Sequence, residues 1–161
     1  MKNANRGFTM IELLIALAIM AIGATLATPL ITSLIESSRL SSVANDIVET
    51  MAIARSEAIK QGRDIQIVPV DGSDWSQGWR IEDVATNTLI RQFDAVPAGL
   101  TLSASVNIAS VGFGRNGARL AGQPQVDLNV CGLPERGGHG RKVSLALSGS
   151  TTVEQIESGC E

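Results

Sequence analysis

The sequence has no tyrosine, and its three phenylalanines and two tryptophans leave aromatics at 3% of 161 residues. A surface that stacks single-stranded bases needs exposed rings, and this chain has few to offer. Basic residues are also short: 13 Lys plus Arg stand against 16 Asp plus Glu, for a formal net charge of −3. That excludes a globally basic nucleic-acid binder and leaves only a local basic patch to consider. His139 is the sole histidine, and Cys131 and Cys160 are the two cysteines. These cannot supply a zinc site built from separate His and Cys clusters. A Ser-His-Asp triad would have to use a histidine set in Gly137-Gly138-His139-Gly140, with no carboxylate fixed nearby in sequence. No phosphate loop, zinc motif or nucleophile elbow occurs. The expectation is a chain that is not an enzyme and takes no cofactor and no metal. Charged residues are only 18% and hydrophobic ones 44%, which is too apolar for a disordered chain and enough for one domain's core.

The apolar residues are unevenly spread. From Phe8 to Ile35 the one charged residue is Glu12. A helix of about 20 apolar residues spans the ~30 Å hydrocarbon core of a bilayer, and the segment 8–29 is long enough. Lys2 and Arg6 precede it, so the positive-inside bias places the N-terminus in the cytoplasm and the bulk of the chain on the other side. Two other readings compete. A cleaved secretory signal also has a basic start, and Thr25-Leu26-Ala27 has a small-residue cleavage pattern, but signal h-regions are usually shorter and uncharged. A plain single-span anchor would leave Glu12 near the headgroups, yet an ionisable residue in an apolar span is by default a functional suspect.

Beyond the span the helical pattern continues. Leu40, Val43, Ile47, Met51, Ala54 and Ala58 recur at three- and four-residue steps and make one face. Arg39, Asn45, Asp46, Glu49 and Glu57 fall largely between them. Gly62 after Lys60 marks a helix stop. The segment 30–61 is thus the soluble half of a helix that would measure about 80 Å in all. Pro29 lacks an N–H and crowds the turn before it, so a kink or local melting is expected there. From residue 62 to 161 the pattern has period two. Strands are expected at 64–70, 78–84, 88–93, 100–106, 111–113, 125–131, 142–147 and 151–156. Turns are expected at Asp71-Gly72-Ser73-Asp74 and Ser148-Gly149-Ser150, and a glycine-rich loop at 132–140. The fold class is α+β, a long N-terminal helix packed on an antiparallel sheet or β-sandwich.

The residues around Glu12 carry a resemblance. Gly7-Phe8-Thr9-Met10-Ile11-Glu12-Leu13-Leu14-Ile15, after a basic leader, resembles the processing site of type IV pilins and type II secretion pseudopilins. The resemblance implies that a prepilin peptidase removes the leader 1–7 by cutting between Gly7 and Phe8, and methylates the new N-terminus of Phe8. It implies that Glu12 is the assembly glutamate and Pro29 the kinking proline. The physics is coherent. Loss of Lys2 and Arg6 makes the chain more acidic, and a new ammonium appears on Phe8. In a low-dielectric bundle that ammonium and a neighbour's carboxylate attract strongly, and each alone in lipid is costly. Glu12 therefore reads as a register device.

Further along, Ala54-Arg55-Ser56-Glu57-Ala58-Ile59-Lys60, Trp75-Ser76-Gln77-Gly78-Trp79, Phe113-Gly114-Arg115-Asn116-Gly117 and Val130-Cys131 are similar, in that order, to motifs of the GspH/FimT family. The pilin-like fold follows from this resemblance. Trp75 and Trp79 read as packing residues. In a domain outside the cytoplasm the two cysteines should be oxidised. A Cys131–Cys160 bond closes a loop of about 30 residues, a gain of roughly 3–4 kcal/mol in the chain-entropy model. FimT- and FimU-type minor pilins often carry such a C-terminal disulfide, whereas pseudopilin H commonly lacks one.

The resemblance implies a minor pilin of a type IV pilus, incorporated at low abundance to prime or assist assembly. The alternative is the minor pseudopilin H of a type II secretion pseudopilus. Implied partners are other major and minor pilins, met through the N-terminal helix, the prepilin peptidase and the inner-membrane assembly platform. The implied location is the bacterial inner membrane, crossed once with the main domain periplasmic, and then the filament. Some FimT-type pilins bind DNA through a C-terminal Gly-Arg-x-Arg motif. Here the corresponding place reads Gly149-Ser150-Thr151-Thr152, which counts against that role. The basic cluster left for it is Arg136, Arg141 and Lys142 near His139, with Arg115 and Arg119 as neighbours if their turn folds to the same end; otherwise the cluster is a solvated charged loop.

Overall fold

A computed structural model of the chain describes residues 8–106, 108–132, 139–156 and 160, with backbone only at 26–30. The chain divides into two compact units, 1–36 and 37–161. The helix α1 (Met10–Gln61) belongs to both. Among the described residues eight strands follow: β1 (Ile65–Pro69), β2 (Trp79–Asp83), β3 (Leu89–Phe93), β4 (Leu100–Ala104), β5 (Val111–Phe113), β6 (Val126–Gly132), β7 (Gly140–Leu145) and β8 (Thr151–Ile156), with a short 3-10 turn at Trp75–Gln77.

In the first unit apolar residues occupy every side of α1 over 10–25, with Glu12 the one charge. Met10, Ile11, Leu13, Leu14, Ile15, Leu17, Ile19, Met20 and Ile22 are all exposed. A helix of this kind belongs inside a larger assembly or a membrane rather than in water. Among the described residues no helix is long and apolar enough to cross a membrane. The expected span 8–29 includes side chains at 26–29 that lie outside the described residues. The helix backbone continues through Pro29, so the local melting expected there is not present. The leader 1–7 also lies outside the described residues.

In the second unit the expected face is the buried one. Leu40, Val43, Ile47, Met51, Ala54 and Ala58 are each 3% exposed or less, and Ala44 joins them. Full burial of a large aliphatic side chain contributes roughly 1.5–3 kcal/mol. The helix ends where Gly62 predicts, and the Arg63 N–H donates to Ala58 O at 3.2 Å, a bond that closes the last turn.

Two antiparallel four-stranded sheets follow, ordered β3-β2-β1-β5 and β4-β6-β7-β8. The period-two pattern sets one face of each inward. Ile65, Ile67, Trp79 and Ile81 come from the first sheet, and Leu100, Leu102, Val126, Leu128, Val130, Val143 and Leu145 from the second. These residues share one core with the helix face. All eight expected strands form, with shifted ends. β4 stops at Ala104 rather than at residue 106. β7 starts at Gly140 and ends at Leu145 rather than running 142–147, because Ala146 already belongs to the turn, donating its N–H to Ser150 O at 2.9 Å.

Candidate assembly site and the disulfide-tied sheet

Glu12 lies in the first turn of α1. Its Oε2 accepts from the Thr9 N–H at 2.9 Å and from the Thr9 hydroxyl at 2.8 Å, while the Glu12 N–H donates to Thr9 Oγ1 at 3.3 Å. This is a capping box, in which a Thr and a Glu three residues on satisfy each other's backbone donors. The Thr9-x-x-Glu12 spacing of a capping box stands in the sequence, and the pilin resemblance assigns a role to Glu12 but none to Thr9. The pairing answers the cost of a carboxylate in an apolar run. Two hydrogen bonds satisfy one oxygen and leave the other available to a partner. Phe8 beside it is 84% exposed. Gly7 and the scissile bond lie outside the described residues.

The Trp75–Trp79 motif is structural. Asp74 caps the 3-10 turn by accepting from the Ser76 N–H at 2.8 Å. Gly78 follows at φ +97°, and a Cβ there would meet Phe93 O at 2.6 Å, so the position takes only glycine. Both tryptophans are buried, as expected. The Trp79 indole N–H donates to buried Thr50 Oγ1 of α1 at 2.9 Å, and its ring stacks on Phe93 with centroids 5.7 Å apart. The helix-end motif acquires a reason too. Arg55 donates to Gly149 O at 3.0 Å and Ser148 O at 3.2 Å, tying α1 to the β7–β8 turn. Gly117 of the Phe113-to-Gly117 motif packs against Arg55 and Ile59.

Cys131 and Cys160 are disulfide-bonded, with Cα atoms 5.4 Å apart. The Cys160 sulfur lies against Gly140 of β7, where an added Cβ would meet Cys160 Sγ at 2.5 Å and Val130 O at 2.8 Å.

Of the basic cluster, Arg141 and Lys142 do not share one face. Arg141 and Lys142 are neighbours on β7, and successive strand residues face opposite ways. Arg141 points toward α1, with Nη2 3.4 Å from Ser37 Oγ and 3.5 Å from Ser41 Oγ. Lys142 lies on the other face and pairs with Glu154 at 2.8 Å, a contact that raises the Lys142 pKa above its ordinary value. Arg136 lies outside the described residues. Arg119 donates to Leu145 O at 3.4 Å, and the Arg119 N–H to Leu147 O, near the end of β7 away from Arg141. The turn carrying Arg115 and Arg119 does not fold onto the end that holds Arg141, since Gly117 sits by Arg55 and Ile59, about 21 Å along the helix from Ser41. Among the described residues no cluster of His, Cys, Asp or Glu could hold a metal.

No curated protein sequence matches the chain. A family model for type II transport protein GspH matches residues 43–151, and one for the prokaryotic N-terminal methylation motif matches residues 2–28. The fold is similar to that of the type IV minor pilin FimU of Pseudomonas aeruginosa, at TM-score 0.64 and 27% identity, over 74% of this chain and 90% of that one. It is also similar to the minor pseudopilin EpsH of the type 2 secretion system of Vibrio cholerae, at TM-score 0.54 and 12% identity, over 72% and 96%. That second likeness bears on the fold alone. The GspH match covers well over half of the chain, the methylation motif covers its start, and the two-sheet domain has a minor pilin's fold. The chain belongs to the GspH family, as a minor pilin or pseudopilin of the GspH/FimT type.

Proposed function

We propose that this protein is a minor pilin of a type IV pilus, incorporated at low abundance to prime or assist filament assembly. The observation that carries the reading is the likeness of the domain to the type IV minor pilin FimU, at 27% identity over 90% of that chain, and the Cys131–Cys160 bond agrees with the FimU-type resemblance of the sequence. Peptidase cleavage between Gly7 and Phe8 exposes an ammonium on Phe8. The first unit, apolar on every side, rests in the inner membrane and then in the filament core. There the free oxygen of Glu12 meets the Phe8 ammonium of a neighbouring subunit, and the Thr9 bonds hold the carboxylate in position for it. The helix bends near Pro29 as it leaves the membrane, and the periplasmic domain follows.

The test is recovery of the protein in surface filaments sheared from the cell that makes it. Presence there with the other pilins supports the pilus. Its absence from pili together with a loss of protein secretion on deletion would instead indicate the pseudopilus, the reading that the EpsH-like fold keeps in play. DNA is a minor part of the proposal. Arg141 turns toward the helix and Lys142 is paired, so the isolated domain should bind DNA weakly or not at all.

A further inference from the structure

Among the described residues the sheet that contains β7 ends at β8, with no strand on its outer side. The hairpin closes on a bonded pair, Ala146 N–H to Ser150 O. The register then runs unbroken from Leu145↔Thr151 to Gly140↔Ile156. Bonded and non-bonded pairs alternate along an antiparallel ladder. Thr151, Val153 and Gln155 fall in the non-bonded pairs, so their N–H and C=O groups point out from the free edge. Their side chains lie on the face toward α1: Thr151 Oγ1 donates to Met51 Sδ at 3.5 Å, and Val153 stands opposite buried Val143.

Beside this edge runs a groove of about 430 Å3, walled by Val48, Ala52 and Ile59 of α1 and by Gly149 and Thr151. Ile59 and Val153 remain 53% and 45% exposed. One arginine, Arg55, lines the groove, and a second, Arg141, stands beyond it along the helix. Arg55 lies by the β7–β8 turn, and Arg141 reaches toward Ser37 and Ser41. Among the described residues both bind only backbone carbonyls or serine hydroxyls, and neither has a carboxylate partner. The acidic residue of β8, Glu154, is turned to the opposite face and held by Lys142. Ser41 and Arg55 are about 21 Å apart along the helix, and an extended segment of about six residues covers about 20 Å.

We propose that an extended segment of a neighbouring pilin subunit adds to β8 as a further strand, with apolar side chains on alternate residues against α1 and carboxylates about six residues apart facing Arg55 and Arg141. The inference rests on the pilin reading and gives it a second contact besides the N-terminal helix. An extended segment meets the three outward N–H groups of β8 directly, whereas a helix, whose backbone groups bond internally, would leave them to water. Strand addition draws affinity from main-chain bonds and specificity from alternate side chains.

The test uses the full-length protein in the cell that makes its filaments. A photocrosslinking benzoylphenylalanine is placed at Ala52 and, separately, at Val153. Val153→Pro removes one outward N–H without touching the bonds to β7, and Ala52→Glu sets a carboxylate against the incoming acidic segment. Leu147→Glu, exposed and outside the groove, serves as control. Crosslinks from both positions to one non-helical segment of another pilin are expected. The Pro and Glu variants should each fall about tenfold in sheared filaments at unchanged membrane level, and the control should not. If a variant is lost from the membrane, the crosslinks of the otherwise unaltered chain decide. Crosslinks only to N-terminal helices or to a second copy of this chain, no crosslinks, or normal incorporation of both variants would overturn the proposal. Absence of the parent chain from filaments overturns the pilin reading and this inference together.

Discussion

Single hydrogen bonds decide several positions in this chain. Thr50 is buried, donates to Asp46 O at 2.7 Å and accepts from Trp79 Nε1 at 2.9 Å. Thr50→Val keeps the shape and strands the indole N–H, so the domain should lose about 1–3 kcal/mol, read by urea unfolding of residues 37–161. Gly140 meets a different limit. Alanine there has no room between Cys160 Sγ, held by the disulfide, and Val130 O of the β6 backbone. Gly140→Ala should destabilise the domain and raise the fraction of free thiol, measured by thiol titration. At Glu12 the outcome concerns assembly. Glu12→Ala should leave membrane insertion intact, since removing a charge lowers insertion cost, while incorporation into filaments falls. Normal incorporation of the alanine chain would show that Glu12 sets no register.

At the level of elements, the strands are tied by turns and by the C-terminal tail. The native domain should show no free thiol, and reducing Cys131–Cys160 should lower its stability by roughly 3–4 kcal/mol in the chain-entropy model. The β2–β3 turn is organised by Asp83. Its Oδ1 accepts from the N–H groups of Thr86 and Ala85 at 2.9 and 2.8 Å, and Arg63 lies 3.4 Å from Oδ2. The Thr86 N–H bond is the largest cause that holds the Asp83 carboxyl below its ordinary pKa, with Ala85 and Arg63 acting the same way against desolvation. A depressed carboxylate contributes stability that is present above the unfolded value of about 3.9 and is lost as pH falls through the folded value. Stability measured from pH 6 downward should therefore drop below about pH 4, and Asp83→Asn should flatten that drop.

For the whole molecule, the two units make different demands. The first exposes apolar side chains on every side over 10–25, a surface of the kind that is buried in an assembly or a membrane rather than left in water. The second has its own core of helix face and two sheets. Mass spectrometry of the membrane-extracted protein should find a mature chain that begins at N-methylated Phe8. An intact leader in a host with active prepilin peptidase, or a start at Thr28, would remove the basis for the assembly role of Glu12.

The sequence by itself determined the long helix, its buried face, its end at Gly62 and all eight strands, because periodicity and turn residues act locally. It also carried the family resemblance, since Gly7-Phe8-Thr9 with Glu12 marks the pilin class and the ordered motifs from Ala54 to Cys131 mark the GspH/FimT family within it. The cysteine pairing was legible because two cysteines allow one bond. Tertiary structure decided what depends on residues far apart in the chain. Only the register of β7 between β6 and β8 sends Arg141 to the helix and Lys142 to the opposite face, so a cluster adjacent in sequence divides in space. Only folding brings Arg55 onto the β7–β8 turn and Trp79 onto Thr50. The groove beside β8 arises the same way, from a helix and an edge strand whose contact no local pattern encodes.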